Sequence, residues 1–353
     1  MLTVADLAAG APALDLDEHG TPRRPAALVD LDSAAQVSPA ALAAAAVHAD
    51  CALPALLGVC QEAVPDEARP LLPSLDVCLT GHPDHAPQAV CPVGSGVGGS
   101  IDDHLAEILA RCAAAPRATV MLAGLLRQTA VLDVRRGLLA ESAVYSTLLA
   151  GPEFGAWLRR RDPSRGPPHA TPEPVEVSRD GDLLRVRLAR PGRRNAVDSA
   201  TRDALVDAFE LALLDPRLHV ELTGAGPDFC TGGDLDTFGS APDVATAHVL
   251  RAERSPGWLL HVLRDRATAR LHGRCLGAGV EIPAFAGRVV ARPGTRFGLP
   301  ELGLGLIPGA GGCVSVTARI GRWRTAWLVL SGRDVDVRVA VDWGLVDEVE
   351  PLP

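Results

Sequence analysis

Residues 270–312 read RLHGRCLGAGVEIPAFAGRVVARPGTRFGLPELGLGLIPGAGG, and this stretch decides how the rest of the chain is interpreted. It sets Glu281 and Glu301 twenty positions apart, each beside glycine-rich backbone. The turn at residues 277–279 predicts exposed peptide N–H groups at a helix start, where the helix dipole favours negative charge. Backbone donors for an oxyanion with two acids beside them indicate enolate chemistry on a carbonyl compound.

Composition places the chain among globular proteins. Its 353 residues are enough for two ordinary domains, or for one large domain with an extension. The content of 47% hydrophobic and 3% aromatic residues predicts an aliphatic core. The sequence contains no lysine, which excludes a Schiff-base lysine mechanism. The net charge of -9 argues against nucleic acid as the main partner, because phosphate binding needs a basic face.

The cysteines and the N-terminus bear on cellular location. The eight cysteines are scattered, with no CxxC pair and no nearby histidine cluster, so we expect free thiols in a reducing cytosol and no metal site. The N-terminus has no basic residue before its apolar residues, which predicts the absence of a signal peptide. The Ala-rich run of residues 39–60 is broken by His48, Asp50 and Pro54, so we expect no membrane span there.

A Pro-rich, polar segment at residues 162–174 divides the chain almost in half. We therefore expect an N-terminal domain of residues 1–161 and a C-terminal domain of residues 175–353. The N-terminal domain is predicted to be rich in helices, with short strands between them. The predicted strands are residues 26–31, 55–60 and 74–80, and the predicted helices include residues 101–112 and 118–126.

A glycine loop at residues 93–100 contains one match to the GxGxxG pattern, at Gly94, Gly96 and Gly99. It precedes a predicted helix that Ser100 could cap. A dinucleotide site would also need a firm strand before the loop and an acid about 20 residues after it, at the end of a second strand. The sequence provides neither, which argues against a dinucleotide-binding fold.

Strands alternate with helices after the linker. Residues 175–177 and 183–188 alternate in hydrophobicity around an Asp-Gly turn, which predicts a hairpin. Further strands are predicted at residues 219–223, 267–271 and 288–291, and helices at residues 199–214, at residues 244–263 and from Gly279. This order predicts an α/β fold with a mostly parallel sheet.

Five motifs occur in one order along the C-terminal half. They are RPGRRNA at residues 190–196, TGAGPDFCTGGDL at residues 223–235, GAGVE at residues 277–281, FGLPELGLGLIPGAGG at residues 297–312 and GLVDEV at residues 344–349. In their order and spacing they resemble the crotonase (enoyl-CoA hydratase/isomerase) superfamily over residues 175–350. The resemblance implies a crotonase-like ββα spiral fold in this half, preceded by the helix-rich N-terminal domain.

The resemblance also implies a catalytic arrangement. The carbonyl of a CoA thioester would be held by the backbone N–H groups of Gly233 and Ala278, which stabilise an enolate. In hydratases, Glu281 would orient and deprotonate water for attack at C3, and Glu301 would deliver the proton to C2. An isomerase needs only one glutamate, at the second position, so the presence of both acids favours hydration or dehydration. The apolar neighbours of Glu301 would raise its pKa toward neutrality.

A second set of residues is implied to bind the substrate and its CoA. Asp234 would fix the turn that presents Gly233, and the arginines of the first loop would pair with phosphates. The set comprises Arg190, Asn195, Ala196, Asp234 and Leu235. We expect no cofactor and no metal ion, with coenzyme A entering only as part of the substrate.

The match departs from the family pattern at its end. Relatives continue after the GLVDEV motif with helices that cover the CoA site and help to form trimers, whereas this sequence stops at Pro353. Residues 115–163 resemble that helical region. They predict either a decayed crotonase-like unit, with no counterpart of Glu281 or Glu301, or an unrelated helical domain that serves assembly.

Taken as a whole, the sequence predicts a cytoplasmic enoyl-CoA hydratase or isomerase that assembles as a homo-oligomer, a trimer or a hexamer. One alternative is a non-catalytic partner subunit, which the retention of two partly buried acids disfavours. The other alternative is a cofactor-free oxygenase that acts on an arylacetyl-CoA. The presence of Glu301 counts against it, because that type of enzyme lacks a glutamate at this place.

Overall fold

The computed structural model describes residues 1–84, 86–92, 98–161 and 173–351. Most of the predicted linker, residues 162–172, lies outside these ranges, as do Gly94 and Gly96 of the predicted glycine loop.

The N-terminal half contains a parallel sheet of five strands that are joined in chain order. The strands are β1 (Leu2–Thr3), β2 (Ala26–Asp30), β3 (Ala55–Cys60), β4 (Val77–Thr80) and β5 (Ala89–Val90). Every residue of β3 is buried, as expected for a strand of a parallel sheet that is covered on both faces. Helices α1 (Val4–Ala9) and α2 (Pro39–Asp50) pack on each other and share an apolar cluster with β2 and β3.

Four helices follow this sheet: α3 (Ile101–Ala114), α4 (Pro116–Thr129), α5 (Val134–Leu149) and α6 (Pro152–Arg160). The Ser100 hydroxyl accepts the N–H of Asp103 at 3.1 Å, so this residue caps α3 as the sequence predicts. The Asp133 carboxylate caps α5 by accepting the N–H of Arg136 at 2.9 Å. The described part of the N-terminal half therefore combines its helices with a parallel sheet.

The C-terminal half is built on a six-stranded sheet in the order β14-β11-β9-β8-β7-β6, beside a three-stranded sheet in the order β10-β12-β13. In the larger sheet, β6 and β7 form an antiparallel hairpin and the other described neighbours run parallel. The strands are β6 (Val175–Asp180), β7 (Leu183–Leu188), β8 (His219–Gly224), β9 (Ala267–Leu271), β10 (Arg274–Leu276), β11 (Arg288–Ala291), β12 (Arg296–Gly298), β13 (Asp334–Asp336) and β14 (Glu348–Val349).

The helices of this half are α7 (Ser199–Leu214), α8 (Val244–Glu253), α9 (Pro256–Val262), α10 (Ala278–Glu281), α11 (Gly312–Ser331) and α12 (Val337–Trp343). The single helix predicted over residues 244–263 is wrong, because α8 and α9 are separate. The Ser255 hydroxyl accepts the N–H of Trp258 at 3.2 Å, and Pro256 follows as the first helical residue, so a new helix begins there.

One apolar core joins the two halves of the chain. Trp327 of α11 is fully buried, and its ring centroid lies 5.7 Å from that of His104 in α3 and 5.7 Å from that of Trp343 in α12. Helices α3, α4 and α5 all contact α11. The domain boundary at residues 162–174 stays a prediction, and residues from both sides of it share this core.

Among the described residues, no single helix is long and apolar enough to span a membrane. One bent pair, α3 with α4 at an angle of 107°, meets the criteria by length and composition alone.

Candidate active site

A tight turn places Glu281 in the interior. Gly277 has φ +51°, a conformation that favours glycine, and it precedes the single helical turn α10. A Cβ atom at this position would lie 2.5 Å from Oε1 of Glu301, so a larger residue would displace that carboxyl group. Glu281, the last residue of α10, is only 2% exposed. The glycine turn therefore brings the two predicted acids to one place.

The Glu281 carboxylate is held by backbone amides. Its Oε2 atom accepts the N–H of Ala310 at 2.8 Å and the N–H of Gly312 at 2.9 Å. Burial raises the pKa of Glu281 to about 7, because the charged form is desolvated, and the amide hydrogen bonds offset part of this effect. A carboxyl group with this pKa is well suited to accept a proton at neutral pH.

Glu301 has a different environment. It begins a short 3-10 turn after Pro300 and is 8% exposed, and its Oε2 atom is buried without a hydrogen-bond partner in the described part of the chain. The adjacent Leu299 and Leu302 are buried, as the sequence predicts. Burial, and then the nearby charge of Glu281, raise the pKa of Glu301 well above its ordinary value. The shift favours the protonated form of Glu301 more than in an exposed glutamate.

Gly233 and Ala278 lie on the same cavity as the two acids. Hydrogen bonds on either side hold the backbone at Gly233: Val197 N–H donates to Gly232 at 2.9 Å, and Asp234 N–H donates to Val197 at 2.8 Å. Within the described ranges, the N–H groups of Gly233 and Ala278 donate to no protein acceptor. Two unpaired amides beside two carboxyl groups form an arrangement that can stabilise an oxyanion and move protons around it.

The cavity has a volume of about 660 Å³ and lies between the two halves of the chain. Helix α5 contributes Leu138 and Tyr145 to its lining, and α8 contributes Ala247 and Leu250. The turn before α11, residues 309–311, forms the wall next to Glu281. The N-terminal half thus closes one side of the cavity that holds the predicted acids.

The five residues predicted to contact substrate or CoA are not part of the lining of this cavity. Asn195 has φ +55° and is buried. Its Oδ1 atom accepts the N–H of Arg190 at 2.9 Å, and its Nδ2 atom donates to the carbonyls of Ala225 and Phe229 at 2.8 and 2.9 Å. The Ala196 carbonyl accepts from the Arg190 guanidinium at 3.2 Å. These contacts tie the first loop to the loop that carries Gly233.

Arg190 occupies a position that disfavours direct contact with a phosphate. Its guanidinium is 3% exposed and pairs with Asp198 at 2.6 Å and Asp234 at 3.3 Å. Asp234 also pairs with Arg193 at 2.6 Å, while the Leu235 carbonyl accepts a hydrogen bond from Arg161. The roles of Arg190, Asp234 and Leu235 in substrate binding stay predictions, and their observed contacts support the backbone around Gly233.

Comparison with known proteins identifies the family. The sequence model described as Enoyl-CoA hydratase/isomerase matches residues 179–352. The chain is 35% identical over 177 residues to the 2,3-dehydroadipyl-CoA hydratase of Escherichia coli (strain K12), covering 50% of this chain and 68% of that protein. It is 36% identical over 188 residues to the cyclohexa-1,5-dienecarbonyl-CoA hydratase of Thauera aromatica, covering 52% and 70%. This chain belongs to the enoyl-CoA hydratase/isomerase family.

The solved structure of an enoyl-CoA hydratase from Thermoplasma volcanium is similar with a TM-score of 0.44 and 30% identity, covering 50% of this chain and 72% of that one. Membership of the enoyl-CoA hydratase/isomerase family confirms the resemblance stated from the five motifs. It also confirms the α/β fold class with a crotonase-type C-terminal half.

The family match begins at residue 179, yet a third carboxyl group of this cavity comes from upstream, at Glu141 of α5. Glu141 is 2% exposed and accepts the N–H of Gly311 at 2.7 Å and the N–H of Cys313 at 2.8 Å. Four successive amides at the start of α11 therefore alternate between Glu281 and Glu141. A helix start leaves such amides unpaired and favours negative charge, which explains why two carboxyl groups converge there.

Glu141 was not among the predicted site residues, since neither interpretation of residues 115–163 assigned an acid to the site. One signal was available: Glu141 lies on the same face of α5 as Leu138, Tyr145 and Leu148, which are all buried. An acid on an apolar helix face needs a buried partner. Burial, and then the charge of Glu281, raise the pKa of Glu141 well above its ordinary value.

Glu141→Gln is expected to destabilise the fold by about 1–3 kcal/mol, because the amide NH₂ would face one of the two buried N–H groups and leave it unsatisfied. The midpoint of urea denaturation measures this loss. Glu107→Gln is the matched control, since Glu107 forms a partly exposed ion pair with Arg333 and should lose less than about 1 kcal/mol. Equal losses in the two variants would show that the amides of α11 do not need Glu141.

Proposed function

We propose that this protein adds water across the double bond of a 2-enoyl-CoA thioester, or catalyses the reverse dehydration. The observation that carries this proposal is the pair of buried acids, Glu281 and Glu301, on one cavity with the amides of Gly233 and Ala278, which have no acceptor in the part of the chain that the structure describes. Coenzyme A is part of the substrate. The chemistry needs an oxyanion site, a base and an acid, and this cavity supplies a candidate for each.

In the proposed mechanism, the thioester carbonyl oxygen accepts hydrogen bonds from the N–H groups of Gly233 and Ala278. Glu281 takes a proton from water as the water oxygen forms a bond to C3, and the electron pair of the double bond moves to give an enolate. Glu301 then donates its proton to C2, which completes the addition of one water molecule. The pKa of Glu281, raised to about 7, suits the base, and burial also raises the pKa of Glu301, which suits an acid.

Hydration is favoured over isomerisation by the presence of two carboxyl groups. Moving a proton between C2 and C4 needs only one carboxyl group that takes and returns the same proton. Addition of water needs a base at C3 and an acid at C2 in the same turnover. The names of the two curated relatives, both CoA hydratases, support the same choice.

Among the arginines of the first loop, Arg194 is the one we propose to contact CoA phosphates. It adopts φ +50°, its side chain is 57% exposed, and its ion pair with Asp228 is long, at 3.9 Å. Arg190 and Arg193 have shorter pairs with Asp234. An arginine with an accessible planar fork of donors suits a phosphate.

The proposal is tested by mixing purified protein with 2-enoyl-CoA thioesters at several pH values. The rate of hydration is measured as the loss of absorbance of the conjugated double bond. We expect a bell-shaped profile of kcat/KM. On its acid side the rate falls about tenfold per pH unit below about 7, because protonation of Glu281 removes the base. On its alkaline side the rate falls as Glu301 loses the proton that it must donate.

These two limbs belong to the coupled pair of carboxyl groups. A rate that stays constant from pH 7 down to about pH 5 would remove Glu281 as the base, since a group with a pKa near 7 must titrate there. No turnover on any thioester, together with measurable binding of CoA ligands, would favour the partner-subunit alternative.

A further inference from the structure

Arg251 of α8 lies on the wall of the candidate active-site cavity, and its side chain contacts helix α5. Its guanidinium carbon lies 4.8 Å from the centre of the Tyr145 ring. Nε donates to the Ser142 hydroxyl at 3.3 Å, and Nη2 donates to the Ser146 hydroxyl. The aromatic ring and the two hydroxyl groups therefore fix the orientation of the guanidinium.

Arg251 has no carboxylate within ion-pair distance in the described part of the chain, and its Nη1 group has no protein acceptor there. Two other arginines line the same cavity, and both have ion pairs. Arg202 lies 2.9 Å from Asp203, and Arg254 lies 2.6 Å from Asp207. Arg251 is thus a positive charge with free donors next to the space that the substrate would occupy.

The groups around Arg251 do not neutralise it. Burial lowers the pKa of Arg251 and raises the pKa of Tyr145, so the phenol stays uncharged. Glu141 directs both carboxyl oxygens to the amides of α11, at 2.7 and 2.8 Å, and lies beyond ion-pair distance of Arg251. Desolvation of a cation without a counter-charge costs stability, so an anion from outside the chain would improve the environment of Arg251.

Arg251 lies where we expect the end of a short acyl chain, the end that is remote from the thioester. Tyr145 follows Glu141 by one turn of α5, about 6 Å along the helix axis. The Tyr145 ring also packs directly on Gly309, in the turn whose next residues hold Glu281. Arg251 therefore lies about one aromatic ring away from the catalytic turn. Apolar side chains complete this part of the cavity, among them Leu138, Leu149, Ala247, Leu250 and Ile282.

We propose that the acyl chain of the substrate ends in a carboxylate and that Arg251 binds this carboxylate through Nη1 and Nη2. The substrate class is a CoA thioester of a short dicarboxylic acid, with the double bond next to the thioester. The apolar walls hold the methylene groups between the two ends. This inference rests on the proposed function, since it names the substrate class of the same site.

The experiment compares pairs of 2-enoyl-CoA thioesters of equal chain length, one ending in a carboxylate and the other in a methyl group, over several lengths. The wild-type protein should prefer the carboxylate-ended member by about ten- to a hundredfold in kcat/KM, which is the range of one or two charge-assisted hydrogen bonds. Arg251→Gln should abolish this preference, mainly through a higher KM for the carboxylate-ended substrate. Arg251→Lys should retain part of it, because the positive charge remains.

Arg254→Gln is the matched control, because Arg254 lines the same cavity but forms an ion pair with Asp207. The ratio of kcat/KM for the carboxylate-ended and methyl-ended substrates should be the same in this variant as in the wild type. A wild-type ratio near one, or an unchanged ratio in Arg251→Gln, would overturn the proposal. Inhibition of the wild-type protein by the saturated thioesters of each pair gives a second measurement that needs no variant. Tighter inhibition by the carboxylate-ended member supports the proposal, and equal inhibition contradicts it.

The experiment distinguishes failure of the proposed hydratase function from failure of the proposed carboxylate binding by Arg251. Turnover of the methyl-ended thioesters without preference for the carboxylate would leave the hydratase intact and remove the role of Arg251. Conversely, if no thioester is hydrated, the proposed function fails. The binding of saturated thioesters to wild-type protein and to Arg251→Gln would still decide whether the cavity selects a carboxylate.

Discussion

Glu301→Gln and Glu281→Gln are each expected to lower kcat for hydration of a 2-enoyl-CoA thioester by about 10²–10⁴-fold, the range for loss of one general acid or base. Glutamine has nearly the same shape as glutamate but neither donates nor accepts a proton at neutral pH. The fall should appear in kcat and in kcat/KM alike, because the proton transfers occur in the transition state. Steady-state assays of both variants check this expectation.

The stability of the same variants separates chemistry from folding. Glu301 has a buried oxygen without a hydrogen-bond partner among the residues that the structure describes, so its replacement by a neutral amide should leave the free energy of unfolding unchanged or slightly higher. Glu176→Gln is the control for activity, because Glu176 forms an exposed ion pair with Arg187 on the hairpin, and it should lose no activity. Full activity in Glu301→Gln, with an inactive Glu281→Gln, would contradict the paired-acid mechanism. A single carboxyl group would then carry the reaction.

The sequence predicted the parts of the site that depend on local backbone chemistry. The glycines of residues 277–279 indicated a turn with exposed amides at a helix start, and the structure has Gly277 at φ +51° directly before α10. Strand β11 matches the predicted residues 288–291, and the hairpin of β6 and β7 matches the hydrophobic alternation around the Asp-Gly turn. Gly233, Ala278, Glu281 and Glu301 meet at one cavity because these local elements are joined in the order that the motifs indicate.

Contacts between distant residues were harder to predict. Arg190 and Arg193 are close together in the sequence, and in the structure both form ion pairs with Asp234. Asp234 lies forty-four positions after Arg190, and its loop folds back onto the loop of the two arginines. Glu141 reaches amides that lie 170 and 172 positions further along the chain. Neither pairing has a signal in residue spacing, since the first depends on how two loops fold together and the second on how α5 packs on α11.

The N-terminal half also depends on contacts between distant residues that the sequence does not indicate. Three of its five described strands were predicted from short apolar runs, but the arrangement of all five as one parallel sheet depends on crossovers that a single sequence does not reveal. The structural role of this half is also non-local. Helices α4 and α5 pack on α11, the helix whose first amides hold Glu141 and Glu281. The candidate site is therefore shared by both halves of the chain.

Asp76→Ala is expected to destabilise the protein by about 3–5 kcal/mol, the cost of leaving a buried charge without its partner. The Asp76 carboxylate is 2% exposed, lies just before β4 and accepts hydrogen bonds from two arginines in different parts of the chain. Arg127 of α4 donates through Nε at 3.0 Å, and Arg322 of α11 donates through Nη1 at 3.1 Å. The side chains of these arginines are 14% and 7% exposed, so alanine would leave two buried cations uncompensated.

The position of Arg322 connects this stability effect to the candidate active site. Gly321, with φ +82°, interrupts α11, and Arg322 begins the segment that follows. The segment before the break carries the amides that hold Glu281 and Glu141. Asp76 thus anchors the N-terminal sheet to the same helix that organises the carboxyl groups. Activity of Asp76→Ala should consequently fall in step with its folded fraction as urea increases.

Asp66→Ala provides the comparison, because Asp66 pairs with Arg69 at the surface, is 94% exposed and should contribute less than about 1 kcal/mol. Urea denaturation of both variants, followed by fluorescence and by hydratase activity, measures the two effects. If Asp76→Ala proved no less stable than Asp66→Ala, the buried ion pairs would not be what joins the sheet to α11. The apolar packing around Trp327 would then hold the two halves together without them.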